Sequence, residues 1–364
     1  MNRDKKIDII KGITILLMVL GHTNFAGRHF IYMFHMAVFF MASGYFVKDK
    51  NSETIAGVKT TIIKRIKGLW LPYFIWNTIY TLCNNLFIQT NIYTVDEGVQ
   101  AYLDPSLINI AHTMSIKEMG INIAKGLYMK GQTELGGAFW FLQILLYISI
   151  AYVLIDFCLK KILKFQNKVL IAQGIISAVF LTVGFLMSLK IIKPIFSERF
   201  FSYYHLYYLG MLLSKIKTAN LKKLHYAVMT VLGCTVVIIL SYFGSISLNS
   251  NDYVNPAFLI GTSLAGWFFL FGIAGLIENI KNITSVLIIL GQNTMALVIF
   301  HSLCFKPINL TVSLIKGWPL STVAGFPINL VEGCWWIAYA ITGTVIPVAI
   351  WLIWKRIKKS ILKK

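Results

Sequence analysis

Apolar runs separated by short polar segments repeat from one end of the chain to the other. Ten of them read as membrane-crossing helices, at about residues 7–25, 30–47, 69–90, 138–157, 169–189, 200–214, 225–244, 256–277, 283–302 and 334–354. The runs are continuous rather than alternating, which argues against a closed β-barrel. The pattern therefore predicts an all-α integral membrane protein, a bundle of about ten transmembrane helices. No linker divides it, so residues 1–364 read as a single domain. No internal repeat is evident, unlike the paired halves of common transporter folds.

Few polar residues break the runs, and the first run holds two of them. Lys11 and His22 lie eleven residues apart. Eleven helical steps return to within ~20° of the starting direction, so the two side chains share a face, roughly 16 Å apart along the axis. Ionisable groups at membrane depth are costly and read as functional by default. Asp8, three residues before Lys11, is spaced to pair with it. Two longer polar segments, 91–137 and 303–333, read as outer loops of the kind that form lids or binding surfaces; the second carries Pro307, Pro319 and Pro327. The basic segment 48–68 reads as a helix lying along the membrane surface.

Composition narrows the class. The chain is 57% hydrophobic and 13% charged, about half the charge fraction of a soluble domain. A net charge of +20 invites a nucleic-acid partner, but its distribution points elsewhere. With the N-terminus inside, 24 of the 34 Lys and Arg residues fall in inner segments, nine in outer ones, and Lys11 within the first run. That asymmetry follows the positive-inside rule and places both termini in the cytoplasm. The charge then serves orientation and anionic lipid headgroups, with no nucleic-acid partner. Residues 1–24 read as a retained anchor, since no small-residue cleavage site follows the apolar run. Five cysteines are scattered; Cys304 and Cys334 flank the last outer segment and either pair there or stay free. No metal-ligand spacing, P-loop, GxGxxG or GxSxG motif is present.

This topology brings His22, His35, His205 and His301 to the outer ends of four helices, with Glu134 and Trp140 at the same level. Each alone suits an interfacial side chain; together they suggest proton chemistry. Imidazole takes and returns a proton near neutral pH. Activating a hydroxyl needs such a base, because an alcohol is a poor nucleophile until deprotonated. Cations suit a phosphate-bearing partner on the cytoplasmic side, and Lys11, Lys64, Arg65 and Lys67 are candidates at the inner mouth. The last three also suit a purely topogenic role.

Five motifs, in order, resemble one known family. They are Arg3-Asp4-Lys5-Lys6-Ile7-Asp8-Ile9-Ile10-Lys11-Gly12-Ile13 followed by His22; Phe34-His35-Met36 with Phe39-Phe40-Met41-Ala42-Ser43-Gly44-Tyr45-Phe46; Lys64-Arg65-Ile66-Lys67 through Leu71-Pro72-Tyr73; Phe139-Trp140-Phe141-Leu142; and Gly291-Gln292-Asn293-Thr294-Met295 through His301. Over nearly its whole length the chain resembles the membrane-bound acyltransferase-3 family of sugar and glycan O-acyltransferases.

The resemblance implies transfer of an acyl group, usually acetyl, from cytoplasmic acyl-CoA to a hydroxyl of a surface glycan or its lipid-linked precursor. Acyl-CoA would be a co-substrate rather than a bound cofactor, and the setting the multi-pass bacterial cell membrane. The family's basic-residue–ten–histidine motif falls on Lys11 and His22. His22 would then be the general base, assisted by His35, with Lys11 held by Asp8. Lys11, Lys64, Arg65 and Lys67 would face the donor, and Glu134, Trp140, His205 and His301 the acceptor. Many members have arginine where this chain has Lys11, which keeps the charge but loses the bidentate fork. Many have proline where it has Ala37. Two other classes compete for the same features: an exporter or flippase for a surface polysaccharide, and a structural subunit of a glycan synthase. Use of a thioester separates acyl transfer from export, and tolerance of substitution at His22 and Lys11 is what the structural subunit predicts.

Overall fold

The computed structural model describes residues 4–105, 108–194, 196–216, 218 and 220–361. Arg3, Lys217, Lys363 and Lys364, counted in the charge asymmetry, lie outside the described residues. The apolar runs fold as helices. In chain order these are α1 Lys5–Gly21, α2 Arg28–Tyr32, α3 His35–Gly44, α4 Ile55–Arg65, α5 Leu71–Leu82, α6 Asn84–Gln89, α7 Ile116–Leu127, α8 Phe139–Ile162, α9 Gln166–Ser188, α10 Glu198–Ser214, α11 Lys223–Ser241, α12 Pro256–Ile277, α13 Lys281–Gln292, α14 Thr294–Lys316, α15 Pro327–Leu330 and α16 Trp335–Ile361. Among the described residues, six are long and apolar enough to cross a membrane: α8, α9, α11, α12, α14 and Trp335–Ile357 of α16. A small antiparallel hairpin, Ile246–Ser247 against Asp252–Tyr253, is added to the expected all-α architecture.

Several expected runs are divided. The run at 30–47 is α2 and α3, separated at Met33 and Phe34. The run at 69–90 is α5 and α6, entered through a π-helical turn at Ile66–Trp70. The run at 283–302 breaks at Asn293, whose Oδ1 accepts from Lys355 Nζ at 2.8 Å. The segment 303–333 is not a loop throughout, because α14 continues through Pro307 to Lys316. Proline removes one helical hydrogen bond, and membrane helices tolerate the loss where neighbouring groups compensate. Lys306 and Lys316, assigned above to an outer loop, are therefore helical. The basic segment 48–68 does contain a helix, α4, and the segment 91–137 contains α7.

The chain forms two compact units. The first comprises Met1–Thr14, His29–Trp70 and Phe141–Gly291. In it α10 packs on α9 and α3, α11 on α12, and α12 on α3. The α3–α10 crossing is close because Gly44 meets the Tyr207 backbone and Gly210 meets the Met41 backbone; a Cβ at either would collide with a carbonyl oxygen. Gly210→Ala is expected to cost about 1–3 kcal/mol by overpacking. It should lower the melting temperature of the detergent-solubilised protein, and a wild-type melt would show the crossing to be looser than described. In the same unit the Asp156 carboxylate, near the end of α8, accepts from Ser52 Oγ–H and from Lys160 Nζ at 2.9 Å. Lys160 also donates to the Asp49 carbonyl at 3.0 Å and to Ser52 Oγ at 2.9 Å.

The second unit comprises Ile15–Arg28, Leu71–Trp140 and Gln292–Lys364. Here α14 is the central strut. It packs on α16, on α15, on a 3-10 turn at Leu320–Ala324 and on another at Glu134–Gly136. The Tyr80 hydroxyl on α5 donates to the Ile299 carbonyl of α14 at 2.8 Å.

Helix α7 packs on α5 and begins with a capping box. Glu118 accepts from the Ser115 N–H at 2.7 Å and from its hydroxyl at 2.8 Å. Those bonds hold the Glu118 carboxyl below its usual range. A depressed carboxylate pKa gives stability that is present above the unfolded value and lost as pH falls through the folded one. Amide protection over residues 116–119, corrected for intrinsic exchange, should therefore fall on acidification below the ordinary carboxylate range. Glu118→Gln should flatten that response; an identical response in the variant would remove Glu118 from the cap.

Candidate active site

The most chemically furnished cavity described lies within the second unit. It is lined by His22, Glu134, His301, Ser302 and Lys306. Local structure explains how each arrives. Helix α1 ends at Gly21, and His22 follows in a turn closed by its N–H on the Val19 carbonyl at 3.1 Å. His301, Phe305 and Asn309 recur every fourth residue of α14 and so face one way, with Ser302 and Lys306 alongside. Glu134 opens the 3-10 turn just before α8.

The imidazoles of His22 and His301 sit with ring centroids 5.1 Å apart and planes tilted by 32°. His301 is buried, and its Nδ1 lies 2.7 Å from the Leu297 carbonyl. A carbonyl only accepts, so Nδ1 carries the hydrogen, and in the neutral ring Nε2 is left as an acceptor. Ser302 Oγ–H, 3.2 Å away, is placed to donate to that nitrogen. One ring of the pair is thus held in a defined tautomer by its own helix.

Glu134 Oε2 accepts from Asn109 Nδ2 at 2.8 Å. Burial pushes the Glu134 carboxyl above its usual range, while the Asn109 bond and the Lys306 charge pull the other way. Lys306 Nζ donates to the Val323 and Ala324 carbonyls at 3.1 and 2.8 Å. Ala324, Gly325, Phe326 and Pro327 form the facing wall. The cavity therefore combines two imidazoles, a carboxyl, an ammonium and a hydroxyl, a set suited to proton transfer and to holding a hydroxyl-bearing ligand. Among the described residues no His, Cys, Asp and Glu cluster is arranged to hold a metal.

Of the residues expected from the sequence, the structure brings His22, His301 and Glu134 together. Trp140 is buried in the same unit. The others belong to the first unit. His35 is buried with Nδ1 on the Ile31 carbonyl at 2.8 Å. His205 Nδ1 lies 2.9 Å from Ser177 Oγ. Asp8 is buried one turn before Lys11 on α1, and Lys11 Nζ lies 6.0 Å from the Phe46 ring centroid. Arg65 donates to the Tyr207 hydroxyl at 3.1 Å, and Lys64 and Lys67 are exposed. Cys304 and Cys334 are both free thiols.

Reading the sequence missed Lys306, Ser302, Asn309 and Asn109. The first three carried a usable signal: the four-residue spacing of His301, Phe305 and Asn309 continues a helical face past Pro307. Asn109 lies in an irregular segment and carried none.

A family model described as an acyltransferase domain matches residues 4–354. No curated protein and no solved structure gives a significant match.

Proposed function

The chain belongs to the acyltransferase-3 family, and from that membership we propose that it is an integral membrane O-acyltransferase using cytoplasmic acyl-CoA, most simply acetyl-CoA. The acceptor is a hydroxyl of a cell-surface glycan or its lipid-linked precursor. In this reading the chain crosses the bacterial cell membrane ten times, with both termini in the cytoplasm.

The observation that carries the reading is the His22–His301 pair in a cavity that also presents Glu134 and Lys306. His22 takes the proton from the acceptor hydroxyl. The alkoxide oxygen attacks the thioester carbonyl, a C–O bond forms, and the C–S bond breaks. The CoA thiolate recovers the proton from the imidazolium, so acyl-S-CoA and R–OH become acyl-O–R and HS-CoA. Lys11, oriented by Asp8, offsets the donor's charge. Lys64, Arg65 and Lys67 serve the donor phosphates, whose geometry suits guanidinium and ammonium groups. Glu134, Trp140 and His301 serve the acceptor.

The test is incubation of purified protein with acetyl-labelled acetyl-CoA and an envelope glycan fraction from the source cell. Label moving to glycan with release of equimolar CoA supports the reading. A folded protein that neither binds acetyl-CoA nor moves label overturns it and favours export.

A further inference from the structure

Helix α14 carries a polar stripe at Lys306, Asn309, Ser313 and Lys316, spaced three, four and three residues apart so that all fall on one side. Every member of the stripe bonds to the segment that follows the helix. Lys306 donates to the Val323 and Ala324 carbonyls. Asn309 Nδ2 donates to the Val323 and Gly325 carbonyls at 2.9 and 2.8 Å. Ser313 Oγ shares a hydrogen bond with Thr322 Oγ1 at 2.7 Å, and Lys316 Nζ donates to the Leu330 carbonyl at 2.7 Å. Asn309 is itself fixed, because the Tyr339 hydroxyl donates to its Oδ1 at 2.8 Å.

The segment so held is the wall of the cavity that contains His22, His301 and Glu134. Lys306 and Asn309 are the members of the stripe that also line that cavity, and of the two Lys306 brings the charge. A cation inside a helix long enough to cross a membrane is expensive, and two bonds to neutral carbonyls satisfy two of its three N–H groups. Glu134 lines the same cavity, with one carboxylate oxygen engaged by Asn109. An ammonium donor and a carboxylate acceptor around one space complement hydroxyl groups, which both accept and donate.

We propose that Lys306 is an acceptor-positioning residue: it fixes the Val323–Gly325 wall and, with Glu134, forms a subsite for hydroxyl groups of the acceptor sugar. The proposal deepens the acyl-transfer reading above and rests on it. Lys306 acts on where the acceptor hydroxyl sits, while proton transfer stays with the histidines and the donor phosphates are held by other residues.

The experiment measures initial rates of label transfer while the envelope glycan fraction, quantified by hexose content, and acetyl-CoA are each varied. Lys306→Met keeps the length and removes the charge. It is expected to raise the apparent KM for glycan at least tenfold while the KM for acetyl-CoA stays within twofold. Lys306→Arg, which retains a cation able to reach the same carbonyls, should recover part of the glycan KM. Glu134→Gln covers the case in which Lys306→Met does not fold; it should raise the glycan KM with the donor KM unchanged. Where both fold, the double variant should lose less than the product of the two single effects. A glycan KM within twofold of wild type in whichever of the two variants folds, or equal changes in donor and glycan KM, overturns the proposal. Wild-type protein that moves no label overturns the acyl-transfer reading itself, and this subsite with it.

Discussion

His22→Ala is expected to leave a folded protein that binds acetyl-CoA and transfers acyl groups about 10²–10⁴-fold more slowly, the range typical for loss of a general base. Folding should survive because His22 lies in the turn after α1 and is only part-buried, lining a cavity rather than filling a packed core. The loss should appear in kcat more than in the KM for either substrate, since the imidazole acts as the hydroxyl proton departs. His301→Ala should also impair transfer, and the double variant should fall little below the worse single one, because the two rings form one unit at 5.1 Å. The deciding measurement is single-turnover transfer of label at saturating glycan. An undiminished rate in His22→Ala would remove His22 from the mechanism and shift attention to His301, whose Nε2 is already defined as an acceptor.

The largest loss of stability is expected from Asp156→Ala, about 3–5 kcal/mol, the usual penalty for removing one partner of a buried ion pair. Asp156 is buried on α8, and its carboxylate collects Ser52, Lys160 and a longer contact from Gln173 Nε2 at 3.5 Å. Without it the Lys160 ammonium keeps a neutral carbonyl, a hydroxyl and an ion pair to Asp49 Oδ1 at 3.8 Å. Asp156→Asn retains hydrogen-bonding capacity and should cost less. Thermal unfolding of the two variants in detergent should rank them in that order. Equal melting temperatures for Asp156→Ala and wild type would mean that this cluster contributes nothing to holding residues 49–52 against α8.

Hydropathy revealed the helices that are uniformly apolar along their length. The runs read at 138–157, 169–189, 225–244 and 256–277 correspond to α8, α9, α11 and α12 to within a few residues. It failed where a break is itself apolar or where a helix contains a residue associated with loops. Met33 and Phe34 interrupt the second run without any polar mark, so no residue signals the turn between α2 and α3. Pro307 gave the opposite error: a residue that ends helices in water sits inside α14, and Lys306 was assigned to a loop in consequence.

The site was legible only where chemistry was rare. His22 and His301 stood out because ionisable groups are scarce in such runs, and they meet in the cavity. Glu134 was visible as a carboxylate at the entrance to an apolar helix. Asn109, and the carbonyls of Val323, Ala324 and Gly325, were not visible, because backbone oxygens and irregular segments leave no pattern of spacing.

The way the cavity wall is anchored bears on how its sequence can change. Lys306 and Asn309 grip the wall by backbone carbonyls, which every residue possesses, so these bonds do not depend on which side chains Val323, Ala324 and Gly325 carry; the Ser313–Thr322 bond is the one made to a side chain. Ala324 contributes a gripped carbonyl and is itself a lining residue of the cavity. Natural drift, or a designed library at this one position, can therefore reshape the chamber while leaving its framework in place.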